Sequence, residues 1–443
     1  MSRTTQIFCA STPYNLATLA AAIGSGCFAE AERRVLLVVD DSATPETAPA
    51  LEGMPGFAPL RRHFDDVLSW NEVIRPFHPA AWTPRPDDIP LLERHLRLLW
   101  GLGDDRVELV LGPLRAGPAL TVAQLFPEAP IHVCADGPVG YGPTRDRLDP
   151  LVGTRVRQLL HLDLVPGLRP MLLTEFDVPA RVVPTPAFLK TMGEVSEHVG
   201  ALPALPDDAA LLLGQCLSAP GALSPAEEED LYVRMVRGAV ERGHGTVVLK
   251  PHPAAPVRRG RALDAEAEKL GVDLTVLDTP VPAEVLFGAA RPALVVGCSS
   301  TALFTASALY GLPVARTGTK ALLGRLTPYQ DGNRVPAVLA DAVLPDLEPG
   351  RGEDAVPADE LNDLVTAVGF TMQPRIHRSL RPAAERYLAQ HFGPRTQHYF
   401  GRRRLTSLGL PGGIPRQLAF LPRSSTARRV VRRARALKKA VRG

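Results

Sequence analysis

The sequence predicts an α/β protein: two Rossmann-like, doubly wound domains facing a cleft, followed by a basic C-terminal helix. Three observations predict it. Short apolar runs alternate with stretches of helical periodicity along most of the chain. A length of 443 residues suits two or three domains, each large enough for its own core. The net charge of +3 is split unevenly: residues 386–443 hold 15 of the 50 Lys+Arg and none of the 47 Asp+Glu, which leaves −12 on residues 1–385.

In the first half, residues 6–10, 34–39, 107–111 and 131–135 read as buried strands, because their apolar residues run nearly unbroken. Helical spacing covers 14–23, 89–100 and 119–125. A Pro-rich stretch from 183–186 to 203–206 reads as the connection between domains. It bounds an N-terminal Rossmann-like domain at 1–195 and a C-terminal Rossmann-like domain at 206–390. In the second half, strands are expected near 209–214, 246–250, 274–277, 293–296 and 314–315. Helices fit 225–242, 261–270, 282–288 and 301–310, and 358–368 and 382–390 close the fold. Residues 391–443 form the basic tail.

Composition narrows the class. With 45% hydrophobic and 22% charged residues, the chain is neither disordered, collagenous nor a coiled coil. No run of 18 apolar residues exists, so no transmembrane helix is expected. Ser11, Thr12, Pro13 and Asn15 interrupt the first apolar stretch, which reads as strand, turn and helix rather than a signal peptide. Cys9, Cys27, Cys134, Cys216 and Cys298 show no CxxC spacing and read as reduced, buried thiols of a cytoplasmic protein without zinc. Many Arg, few Lys and abundant Ala and Pro fit a high-GC bacterial genome.

Open α/β sheets bind ligands beyond the carboxyl ends of their strands, so the residues after each strand carry the functional reading. Ala135-Asp136-Gly137 follows the strand IHVCA. A carboxylate partly desolvated at such an edge suits a general base; a plain Asp-Gly turn fits the same residues. Lys250-Pro251-His252-Pro253 follows another strand, and two prolines stiffen the backbone around one imidazole. A cation and a His there suit an anionic leaving group; a structural His in a stiff loop is the competing reading. Gly297-Cys298-Ser299-Ser300-Thr301 leads into a helix, where hydroxyls and free N–H groups favour a phosphate, although one Ser as a cap explains part of it. Glu284, just inside a short helix after Pro282, suits ribose hydroxyls or merely the helix dipole. Gly214-Gln215 closes the first strand of the second half.

Absent motifs matter too. There is no GxxxxGK[ST] and no GxGxxG after a strand. Asp40-Asp41 lacks the DxD spacing that holds a metal–nucleotide complex. A metal-independent nucleotide-sugar transferase is therefore expected, its phosphate neutralised by Lys250, His252 and the Ser299/Ser300 helix end.

In this order, the motifs resemble those of the bacterial alpha-2,8-polysialyltransferase family, sialyltransferase-like enzymes of GT-B fold. The resemblance rests on Ala135-Asp136-Gly137 with Tyr141, on Lys250-Pro251-His252-Pro253, and on Ser299-Ser300. The opening strand with Ser11 and the following TPYNL, the Gly214-Gln215 strand end and Pro282-Ala283-Glu284 are also similar, over roughly residues 5–320. The resemblance implies an inverting glycosyltransferase using a CMP-activated sialic acid or related nonulosonate, with a glycan or glycolipid acceptor in cell-surface polysaccharide synthesis. It implies Asp136 as general base and His252 as general acid or phosphate partner. Ser299 and Ser300 would hold the phosphate, Glu284 the ribose, and Lys250 and Pro253 would lie along the nucleotide. Ser11, Gly137 and Tyr141 would stand on the acceptor side. The sequence departs from the family at Ala135, where an acidic residue is usual, which bears on substrate details and on polymerisation. Two other readings remain: a CDP-glycerol glycerophosphotransferase-like teichoic acid enzyme, and a non-catalytic nucleotide-sugar-binding membrane scaffold.

From 424 to 442, Ala427, Val430, Val431, Ala434, Leu437 and Val441 fall at helical spacing, with Arg and Lys on the other faces. Anionic lipid adds about 1 kcal/mol per basic residue near its surface, so this stretch is expected to hold the protein at the inner face of the plasma membrane. A solvated tail is the alternative. Nucleic acid is not an expected partner, because the body lacks a basic groove or an aromatic-basic pattern.

Overall fold

The computed structural model describes residues 3–47, 49–115, 117–135, 137–200, 202, 205–206, 208–218, 221–252, 260–277, 279–348 and 356–414. The first domain is built on seven parallel strands: β1 (Thr4–Ala10), β2 (Arg33–Val38), β3 (Asp66–Ser69), β4 (Arg106–Leu111), β5 (Ile131–Ala135), β6 (Val156–His161) and β7 (Ala180–Val182). Their order is β3-β2-β1-β4-β5-β6-β7. Parallel strands need crossovers, and helices such as Pro13–Gly24, Ile89–Leu99 and Ala119–Leu125 supply them. Both faces are thereby covered, which is why the central strands are apolar almost throughout. Ile7 pairs in register with Val35 and Leu109, and all three are fully buried.

The second domain repeats the plan with β8 (Ala210–Leu213), β9 (Thr246–Lys250), β10 (Asp273–Val276), β11 (Leu294–Gly297) and β12 (Val314–Arg316), ordered β10-β9-β8-β11-β12 and all parallel. In each sheet the chain starts centrally, winds to one side and then to the other. The reversals fall between β1 and β4 and between β8 and β11, and each leaves a crevice at the carboxyl edge.

Three sequence expectations change. The strands β3, β6 and β7 were not expected. The Pro-rich connection is in part a helix, Thr185–Glu197, with Phe188, Met192 and Val195 buried. Pro184 and Pro186 flank its first turn, where a missing N–H costs nothing. This helix packs against Pro13–Gly24 and Ala283–Ala289. It thereby makes one apolar core continuous from Phe8 and Leu36 to Leu211 and Val248.

The basic tail also begins later than residue 391. Helices Arg381–His391 and Arg402–Leu408 belong to the fold, and Tyr399, Phe400, Leu405 and Leu410 are buried. Burying side chains of this size stabilises by roughly 1.5–3 kcal/mol each. His398 Nε2 lies 2.6 Å from an Asp341 oxygen, and Arg316 pairs with Asp341 at 2.9 Å and Asp346 at 2.7 Å. Burial alone would raise the Asp341 pKa. The His398 bond, Arg316 and Thr319 outweigh it and hold the carboxyl at about 2. Helix Ala358–Met372 reaches back to the first domain, where Asn362 bonds Gly167 O at 3.2 Å and Arg169 N at 3.3 Å. The stretch 424–442 lies outside the described residues. Among the described residues, no helix is long and apolar enough to cross a membrane.

Candidate active site

The predicted site residues fall at the carboxyl edges of both sheets. Ser11 follows β1, Gly137 follows β5, Gly214-Gln215 follow β8, Lys250-Pro251-His252 end and follow β9, and Ser299-Ser300 follow β11. Asp136 and Pro253 lie outside the described residues.

On the second domain these side chains form one connected group. The Gly214 N–H bonds Lys250 O at 2.9 Å. A Cβ on residue 214 would lie 3.0 Å from His252 N and 3.1 Å from Pro251 Cα, so only glycine lets β8 end this close to the His-Pro loop. Lys250 is 5% exposed and its ammonium donates to Thr279 O at 3.0 Å. Glu284 is 3% exposed and accepts the Thr305 hydroxyl at 2.7 Å. Desolvation raises the Glu284 carboxyl above its usual range, against the pull of Thr305, the residue's own N–H and Lys250. His252 is exposed at the end of the crevice. Desolvation and then the Lys250 charge lower its pKa, and Glu228 opposes them.

The paired serines play different parts. Ser300 caps helix Thr301–Ala308 by accepting Ala302 N at 3.3 Å, and it stays half-exposed. Ser299 is buried. Just ahead of that helix two amides are occupied: Gln215 Oε1 accepts Cys298 N at 3.1 Å and Ser299 N at 2.6 Å, and Gln215 Nε2 donates to Ser299 Oγ at 3.3 Å. Gln215 thus ties β8 to β11 across the crevice, and its neutral oxygen sits where two amides converge.

The two domains meet at these motifs. A Cβ on Gly137 would come within 2.6 Å of Thr301 Oγ1, so Gly137 of the first domain packs on the first residue of the helix that Ser300 caps. Gly142 likewise approaches Val335, where a Cβ would meet Cγ2 at 3.1 Å. Tyr141 does not face the cleft. It is 2% exposed, and its hydroxyl accepts Leu164 N at 3.1 Å and Val165 N at 3.2 Å. Burial pushes its pKa up to about 12, so its job is to order the loop after β6. Ser11 is exposed on the bend after β1, along the same sheet edge as Gly137.

The sequence model of the alpha-2,8-polysialyltransferase family matches residues 6–319, which take in all of β2–β12, most of β1 and the motifs of the site. The chain belongs to this family. As a member it is a glycosyltransferase, and its two facing doubly wound domains form a GT-B fold. Solved structures similar to it include the GT-B domain of a Photobacterium damselae sialyltransferase, at 12% identity over 76% of this chain and 96% of that one, with a TM-score of 0.39. They also include Acinetobacter baumannii MurG, at 13% identity over 88% and 95%, with a TM-score of 0.40. Phytolacca americana UGT2, whose structure holds UDP-2-fluoroglucose and pterostilbene, shares 12% identity over 92% and 99%, with a TM-score of 0.43. No curated protein matches the sequence.

Ala135, where the resemblance leads to the expectation of an acidic residue, is buried at the end of β5, so a carboxylate there would be desolvated. Sequence reasoning missed Glu228, Thr279 and Thr305. For Glu228 the only signal was the run Glu227-Glu228-Glu229 at a helix start, which reads as dipole and capping chemistry. Among the described residues, no group of three or more His, Cys, Asp or Glu could hold a metal ion.

Proposed function

We propose that the chain moves sialic acid, or a related nonulosonate, from a CMP-activated donor to a glycan hydroxyl, with inversion and without a metal. The observation that carries this reading is the contact of Gly137 with Thr301, which sets the Asp-Gly motif against the paired-serine helix. Asp136 takes the proton of the acceptor hydroxyl. The acceptor oxygen bonds the anomeric carbon as the bond from that carbon to the CMP phosphate oxygen breaks, its electron pair staying with the phosphate. His252 and Lys250 receive that growing charge, His252 by a hydrogen bond or a proton. Ser300 and the helix end it caps complete the phosphate site, with Gln215 giving up the two amides it holds. Glu284 takes the ribose.

A nucleotide panel tests the donor class. A ligand at 100 times its Kd stabilises by about 2.7 kcal/mol, a rise of several degrees in Tm for domains of this size. CMP is expected to give that rise, with UDP and GDP giving little. A rise with CDP-glycerol and none with CMP replaces the reading by glycerophosphate transfer.

The basic stretch 424–443 is placed, in the same proposal, on the inner face of the plasma membrane, where lipid-linked acceptors are made. The full chain is expected to float with anionic liposomes and the chain ending at Arg423 to remain below. Equal flotation of both removes the tail from membrane binding.

A further inference from the structure

We infer that Glu228 is a positioning residue for the donor site, holding the loop after β8 in the form that seats Gln215 and His252. The inference rests on the donor-phosphate reading of that site. Glu228 lies in the first turn of helix Pro225–Glu241, yet it does not cap it; Ser224 and Glu227 form the capping box. Its side chain is buried, 8% exposed, and turns back across the loop. There one oxygen accepts Leu217 N at 2.7 Å and the other Ser218 N at 3.0 Å, while the Tyr232 hydroxyl donates at 3.1 Å. Burying a carboxylate is costly unless it is hydrogen-bonded, and here it is spent on two loop amides.

The loop needs such a hold. Cys216 sits at φ 52, a left-handed conformation that costs a non-glycine residue on the order of 1 kcal/mol. One side of that strained residue is fixed by Gln215 on Cys298 and Ser299. The other side is fixed by Glu228 on residues 217 and 218. At its base, Gly214 packs on the backbone of His252. One carboxylate therefore sets three features of the crevice: the reach of Gln215 to β11, the turn at Cys216 and the seat of the His-Pro loop. Its charge raises the His252 pKa, against desolvation and Lys250, which lower it. Tyr232 and Cys216 are titratable groups beside Glu228. Losing the Glu228 charge therefore favours neutral His252.

The test compares E228Q and E228D with the full wild-type chain, reading KM for CMP-sialic acid and kcat/KM against pH. E228Q is expected to raise donor KM about tenfold, the worth of one charge-assisted hydrogen bond. It is also expected to move the high-pH limb to lower pH, because His252 then loses its proton sooner. E228D keeps the charge with a shorter reach, so KM rises while the limb stays. The control is H252A. If H252A leaves the limb in place, the reading of His252 itself fails. If H252A removes the limb while E228Q and E228D leave limb and KM at wild-type values, the positioning role of Glu228 fails. Should E228Q not fold, E228D with an unchanged KM still overturns it.

Discussion

Asp136→Ala is expected to lower sugar transfer by roughly 10²–10⁴-fold, the usual contribution of a positioned general base, or about 2.7–5.5 kcal/mol of barrier. The CMP-induced rise in Tm should survive, because on the proposed reading the donor nucleotide is held by the other domain. The expectation follows from what surrounds the position. Ala135 ends β5 in the core, and Gly137 is pinned against Thr301, so the backbone is fixed on both sides of residue 136. On the proposed reading, the acceptor hydroxyl meets the donor at this edge of the first sheet. Asp136→Asn keeps the size and the turn chemistry and removes the basicity, so it should be as slow as the Ala variant. Transfer by either variant at the wild-type rate removes Asp136 from the mechanism.

His252→Ala is expected to cost a similar factor, roughly 10²–10⁴, in kcat with the CMP-activated donor. The imidazole is the group in the cluster able both to donate a hydrogen bond and to release a proton near neutral pH. Its pKa lies below the ordinary value, chiefly through desolvation and then through Lys250. The sign of the pH dependence follows: activity that needs protonated His252 is full at low pH and falls as pH rises through that lowered pKa. A bound donor phosphate is negative and raises the pKa again, so kcat should fall at higher pH than kcat/KM does. Near-wild-type turnover by His252→Ala removes it from the leaving-group role.

Much of this was legible from residues after apolar strands. β5 and β9 are runs of buried side chains, and the functional residues follow or end them, so locating the strand located the motif. The strands that escaped were of another kind. β3, DVLS, is half-buried throughout. β6 carries Arg157 and Gln158, and β7 is a three-residue exposed edge, so none shows an apolar run or a clean alternation. Helix Thr185–Glu197 was hidden by prolines that begin a helix as readily as they break one. Tyr141 was misread because a tyrosine near a motif looks the same whether its hydroxyl faces substrate or two loop amides. Gln215 was legible as a strand-end residue, but not its hold on Cys298 and Ser299, since a contact 84 residues apart leaves no local signature.

The most direct test of the central claim is transfer by the wild-type protein itself, measured as CMP release from CMP-sialic acid in metal-free buffer containing a chelator, with and without a glycan acceptor. The account predicts release that rises with acceptor and a sialylated product of inverted anomeric configuration. Retained configuration, or release that requires an added divalent cation, contradicts it.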